Sequence, residues 1–90
     1  KYSLNINGKN ISILYKNNEI DLIKIDNIDC VEFYAKRLRN RKKDIKPTIQ
    51  IFNKEHKSLV EMTVSIKDYY LLKKYFEKYN VEVEDDFLIF

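Results

Sequence analysis

The stretch "LVEMTVSIKDYYLLKKYFEKYN", Leu59 to Asn80, changes its hydrophobic period once, and that change decides the fold. Its opening "LVEMTVS" reads as a strand. From Ser65 onward the apolar positions Ile66, Tyr69, Leu72, Phe76 and Tyr79 fall at spacings of three and four, so they form one stripe of a helix, while Lys67, Lys74 and Lys78 project elsewhere. Ser65 is placed to cap the helix start, with Asp68 three residues on in a capping-box-like arrangement, and Asn80 is a plausible stop. A helix is predicted over Ile66 to Tyr79.

Working back from that boundary, "TIQIFN" pairs with "LVEMTVS" as a hairpin across the polar "KEHK", with Pro47 at the strand entry. "IDCVEFYAK" alternates Val31, Phe33 and Ala35 with Glu32, Tyr34 and Lys36, and "DN" at Asp26-Asn27 separates it from "IDLIKI". At the start, "YSLNIN" and "NISILY" alternate around the hairpin signal Asn7-Gly8, and "KNNE" supplies the next turn. Six strands thus precede one helix. With no helices interleaved among them, a parallel α/β sheet is excluded, and the terminal helix has to pack on the strands. The expected fold is mainly β (α+β): an antiparallel curved sheet or small barrel of six to seven strands, its mouth capped by one C-terminal helix. Residues 81–90, "VEVEDDFLIF", form a tail that is either a last strand or a segment docking on a neighbour.

Ninety residues fit one domain whose core must use nearly every large apolar side chain. Apolar residues at 44% and charged residues at 34% exclude a disordered chain, and a single Gly and a single Pro exclude a flexible linker. No apolar run approaches the roughly 20 residues that span a bilayer. The expected location is cytoplasmic, at the inner face of the membrane if the full-length protein has upstream transmembrane helices. Cys30 is the sole cysteine, so it has no partner within the chain for a disulfide.

The order of these elements, "LIKIDNIDCVEF", an insertion, "TIQIFNKEHKSLVEMTVS" and the helical "IKDYYLLKKYFEKYNVEV", resembles a bacterial pleckstrin-homology-like (PH-like) domain over roughly residues 10 to 84. The resemblance implies a strand meander closed into a partly open barrel with a C-terminal helix at one end. That family usually has seven strands before the helix, one more than is read here. Its phosphoinositide-binding members carry a basic motif across the first hairpin, whereas "NINGKNIS" has only Lys9. What the resemblance implies instead is a module for protein interaction or oligomerisation.

Residues suited to catalysis are few. His56 sits in the turn predicted over "NKEHKS", and a general base needs a positioned partner and a pocket. Cys30 lies on a strand beside apolar positions rather than in the electropositive setting that activates a thiol. The carboxylates Asp26/Asp29 and Glu84/Asp85/Asp86 lack calcium-loop spacing and read as solvated turns. Neither a nucleophile-base pair, a Gly-rich phosphate loop nor a metal-ligand spacing occurs, so no enzymatic activity, metal, cofactor or small-molecule substrate is expected. Seven tyrosines and five phenylalanines suit base stacking in principle, but most fall on core stripes; Tyr34, Tyr70 and Tyr75 are expected to be exposed.

The basic residues are not evenly spread. "KRLRNRKKDIK", Lys36 to Lys46, holds seven of the 17 basic residues and one acid, a net +6, while the remainder carries ten basic and 13 acidic residues, a net −3. If the segment extends its strand, Arg37, Arg39 and Arg41 share one face at roughly 6.5–7 Å spacing, a guanidinium ladder suited to carboxylates or phosphates. Lys36, Lys42, Lys43 and Lys46 assist it. The ligand expected is an acidic protein partner or a second copy, then an anionic membrane surface, then nucleic acid. The plainer reading is a solvated hairpin tip that protects a sheet edge. A further interaction patch is expected at Phe87, Leu88, Ile89 and Phe90.

Overall fold

A computed structural model describes residues 2–35 and 46–87. Three strands come first: β1 (Tyr2–Asn7), β2 (Asn10–Tyr15) and β3 (Asn18–Lys24), an antiparallel sheet in the order β1-β2-β3. Both connections are two-residue loops. Gly8 takes φ 60 at the first central position, where an L side chain is strained, and Lys16 and Asn17 take φ 51 and 66, the doubly left-handed pair of a I′ hairpin. These loops fix the register, setting Leu4 opposite Ile13 and Ile6 opposite Ile11, so one face carries the apolar residues of both strands. A bulge at Ile13/Leu14 breaks the β2–β3 pairing and leaves Ile20 exposed.

A 3₁₀ turn at Ile25–Asn27 carries the chain into the second sheet: β4 (Ile28–Ala35), β5 (Pro47–Asn53) and β6 (Ser58–Thr63). The β5–β6 turn is organised by Asn53, whose side-chain oxygen accepts from the backbone N–H of Glu55 and Lys57. Helix α1 (Ile66–Lys78) starts where expected, the Ser65 hydroxyl accepting from Asp68 N at 3.1 Å. It ends in a Schellman motif, in which Asn80 at φ 58 lets Val81 N reach Phe76 O and Asn80 N reach Glu77 O. The chain then forms β7 (Glu82–Asp85), which pairs with β4 in parallel, giving the order β6-β5-β4-β7.

The fold is therefore mainly β, seven strands in two sheets with one helix that follows six of them. Two expectations are corrected. The strands do not close into a barrel, because β7 adds to the outer edge of β4 instead of bridging the gap between β1 and β6. The sheet is not wholly antiparallel either: β6 runs parallel to β4, and a chain that leaves β6 through a helix returns in the same direction, as crossovers do. The helix accordingly packs over β5 and β7 rather than plugging a barrel mouth. Tyr69, Leu72 and Phe76 join Ile11, Ile13, Val31, Phe33, Ile49 and Ile51 in one core. Ile66 is 44% exposed, since the first helical turn projects past the core, and Tyr79 is half-buried at the C-cap.

Candidate functional site

Because the two sheets stay unpaired between β1 and β6, a groove of about 810 Å³ opens along that seam. One wall is β1, with Tyr2, Leu4 and Ile6 on its inner face; the other is Met62 to Ser65 at the end of β6, with Leu71 and Leu72 of α1 beside them. The inner face of β1 is only partly covered, and Tyr2 and Leu71 are each 54% exposed. Tyr2 also leans on Tyr15 across the β1–β2 pair, ring centroids 4.9 Å apart. The rim is polar, with Lys46, Glu61 and Asp68. Thr48 is buried, and among the described residues its hydroxyl oxygen meets no hydrogen-bond partner.

The outer face of the second sheet is acidic. The register places Glu32 beside Glu84 on one side and Gln50, then Glu61, on the other, with Glu82 beside Cys30. Burial first, then Glu84 and Asp86, pushes the Glu32 carboxyl up. Tyr34 is half-buried here rather than exposed; its hydroxyl donates to Glu61, and burial followed by that bond pushes it up to about 12. Cys30 shares this face, and burial, then Asp29 and Glu32, push its thiol up, the reverse of what activates a nucleophile. His56 stands in the β5–β6 turn at φ 62, its Nδ1 3.4 Å from Asp29. Among the described residues, no three His, Cys, Asp or Glu side chains gather to hold a metal ion, and no helix is long and apolar enough to cross a membrane.

A third cluster joins α1 to β7. Asp85 accepts from Lys73 Nζ at 2.7 Å, from the Tyr69 hydroxyl and from Phe87 N at 3.0 Å. Lys73 and Asp85 are 19% and 14% exposed. Burial alone would raise the Asp85 carboxyl, but the bonds from Lys73 and Tyr69 outweigh it and hold it below the usual carboxylate range. The bond to Asp85 raises Lys73 against its burial, and burial with the same carboxylate pushes Tyr69 up to about 12. Asp85 is thus not part of a solvated turn; it latches the last strand to the helix. Sequence reasoning missed Lys73 altogether. The available signal was its position four residues after Tyr69, on the same side of the helix.

Of the basic residues singled out, Lys46 is exposed at the entry to β5 and lines the groove. Lys36, Arg37, Arg39, Arg41, Lys42 and Lys43 lie outside the described residues, as do Leu88, Ile89 and Phe90. Phe87 is half-buried, its ring 5.1 Å from that of Tyr69. Tyr70 is exposed, whereas Tyr75 is half-buried and donates to Gly8 O at 2.7 Å, tying α1 to the first hairpin. Comparison with protein-family models, with curated proteins and with solved structures returns no match.

Proposed function

We propose that this domain is a non-catalytic interaction module that holds a protein partner in the seam between its two sheets. The observation that supports this reading is the groove itself: an apolar inner face of β1 left partly uncovered, facing apolar residues of β6 and α1, inside a polar rim. That is the anatomy of an interface, apolar at its centre and polar at its edge. The basic segment Lys36–Lys46 ends on the rim at Lys46, and its net +6 suits an acidic partner, accelerating encounter more than it adds affinity.

The second reading, attachment to an anionic membrane surface, draws on the same +6 segment. A basic cluster without an apolar anchor gives weak, salt-labile attachment, worth at best about 1 kcal/mol per basic residue near the surface. The test compares co-sedimentation with phosphatidylserine-containing vesicles against binding to polyglutamate, for the parent and for an Arg37/Arg39/Arg41 triple alanine variant. The interaction reading expects polyglutamate binding that the triple variant weakens, with the parent left in the supernatant at physiological salt. Strong vesicle binding, lost in the triple variant, would overturn it in favour of the lipid surface.

A further inference from the structure

Among the described residues four strand edges are unpaired, and they are unlike one another. β3 carries Glu19, Asp21 and Lys24, β6 carries Glu61, and β7 carries Glu82, Glu84 and Asp85. β1, "YSLNIN", has no charged residue and no proline. Charges and prolines are the usual means by which an edge strand avoids pairing with another chain, so β1 alone among the four lacks that protection.

The register says which backbone groups β1 offers. A two-residue loop makes Asn7 and Asn10 a hydrogen-bonded pair, and the antiparallel alternation then bonds Asn5 to Ser12 and Ser3 to Leu14. The N–H and C=O groups of Leu4 and Ile6 therefore point away from β2, toward the groove, while their side chains lie on its apolar wall.

We infer that β1 is the docking edge for a single extended segment of a partner protein, which adds as a strand beside Leu4 and Ile6 and places alternate apolar side chains in the groove. The inference rests on the interaction-module reading and adds the binding mode. Groove size favours one strand over a second copy. Six residues of β1 run roughly 20 Å, so 810 Å³ gives a cross-section of roughly 40 Å². One strand, at about 4.8 Å spacing and about 10 Å sheet thickness, occupies about 48 Å². A second copy pairing through β1 would bring β2 and β3 with it, three times that section, against the wall formed by Met62 to Ser65. Charge adds a preference: Lys46 stands at the rim with Glu61 and Asp68 and is the last residue in sequence of the +6 segment, so an acidic residue flanking the incoming strand would pair with Lys46.

The probe is a synthetic seven-residue peptide, two aspartates followed by alternating valine and threonine, added to the full ¹⁵N-labelled chain. A second peptide carries N-methyl groups on the amides that would face β1, and a Leu71→Glu variant alters the exposed groove wall without touching the core. Expected are binding, slowed exchange of the Leu4 and Ile6 amides, and losses of about tenfold or more in affinity for both the N-methylated peptide and the variant. If the plain and N-methylated peptides bind equally, Leu71→Glu weakens both, and Leu4 and Ile6 exchange as before, strand addition is wrong while the interaction module stands. Slowed exchange of Leu4 and Ile6 in a concentration-dependent oligomer without peptide would assign the edge to a second copy and overturn the inference. Absence of peptide binding up to millimolar concentration would overturn it as well; if the chain also sediments with anionic vesicles, the interaction reading falls with it.

Discussion

Replacing Asp85 by alanine tests how the last strand is held. The carboxylate accepts from Lys73, Tyr69 and Phe87 N, and hydrogen bonds to a charged group contribute about 1.5–3 kcal/mol each when counted singly. They do not add here. Phe87 N can turn to water, and the 19% exposed Lys73 can swing its ammonium outward, so neither is left wholly unsatisfied. The Tyr69 hydroxyl has less freedom, because the residue is buried and its other neighbour is Lys73 Nζ at 3.4 Å. The net cost should be about 2–4 kcal/mol, which at about 4–8 °C per kcal/mol for a domain of this size lowers Tm by roughly 8–32 °C. Thermal melts of the parent, Asp85→Ala, Lys73→Met and the double variant close a cycle, with a coupling of about 1–2 kcal/mol expected for the pair. Amide exchange locates the damage: the Asp86 N–H, bonded to Phe33 O at 2.8 Å, should lose protection while β5 keeps it. A Tm within about 2 °C of the parent, less than about 0.5 kcal/mol, would refute the latch.

Four further outcomes follow from the structure. Because the folded Asp85 carboxyl is held below its unfolded value, its contribution is complete above about pH 4 and fades as pH falls through the lower folded value; the stability gap between parent and Asp85→Asn should therefore shrink in acid titrations. At the alkaline end the folded state favours neutral Tyr69, up to about 12, and charged Lys73, so both contributions are lost as pH rises beyond about 10, and Tyr69→Phe should flatten that limb. Phe76→Asp, at a fully buried position, removes a contact worth about 3–5 kcal/mol and buries an unpaired charge, so its denaturant midpoint should collapse; a parent-like midpoint would show that α1 does not pack by this face. Lys16→Asn should raise Tm, relieving up to about 1 kcal/mol of left-handed strain at φ 51.

What could be read from the sequence was what is local. The six strands, the helix start at Ser65 and the turns at Gly8 and Lys16-Asn17 depend on residues within a few positions of one another, and all stand in the structure. The partner of β7 depends on residues far apart, Cys30 to Phe33 with Glu82 to Asp85, and "VEVED" alternates equally well for a parallel or an antiparallel neighbour. Chain direction held the missing clue, since a strand reached through a helical crossover from β6 must run parallel to β6, hence to β4. The barrel was expected from an antiparallel run of short strands followed by one terminal helix; the tail instead found an edge that offered Phe33 O to Asp86 N and a largely buried ion pair with α1.

The groove was illegible for the same reason, being built from Tyr2 to Ile6 at one end of the sequence and Met62 to Leu72 at the other. The conspicuous sequence feature lies elsewhere, where charge is concentrated at Lys36 to Lys46. The more telling signal was where charge is missing. In a chain that is 34% charged, a six-residue edge strand without a single charge lacks the usual protection against pairing with another chain. β2, "NISILY", is equally uncharged and is central, paired on both sides. β1 has the composition of an interior strand in an edge position among the described strands, and the segment we propose to add beside it would complete that edge.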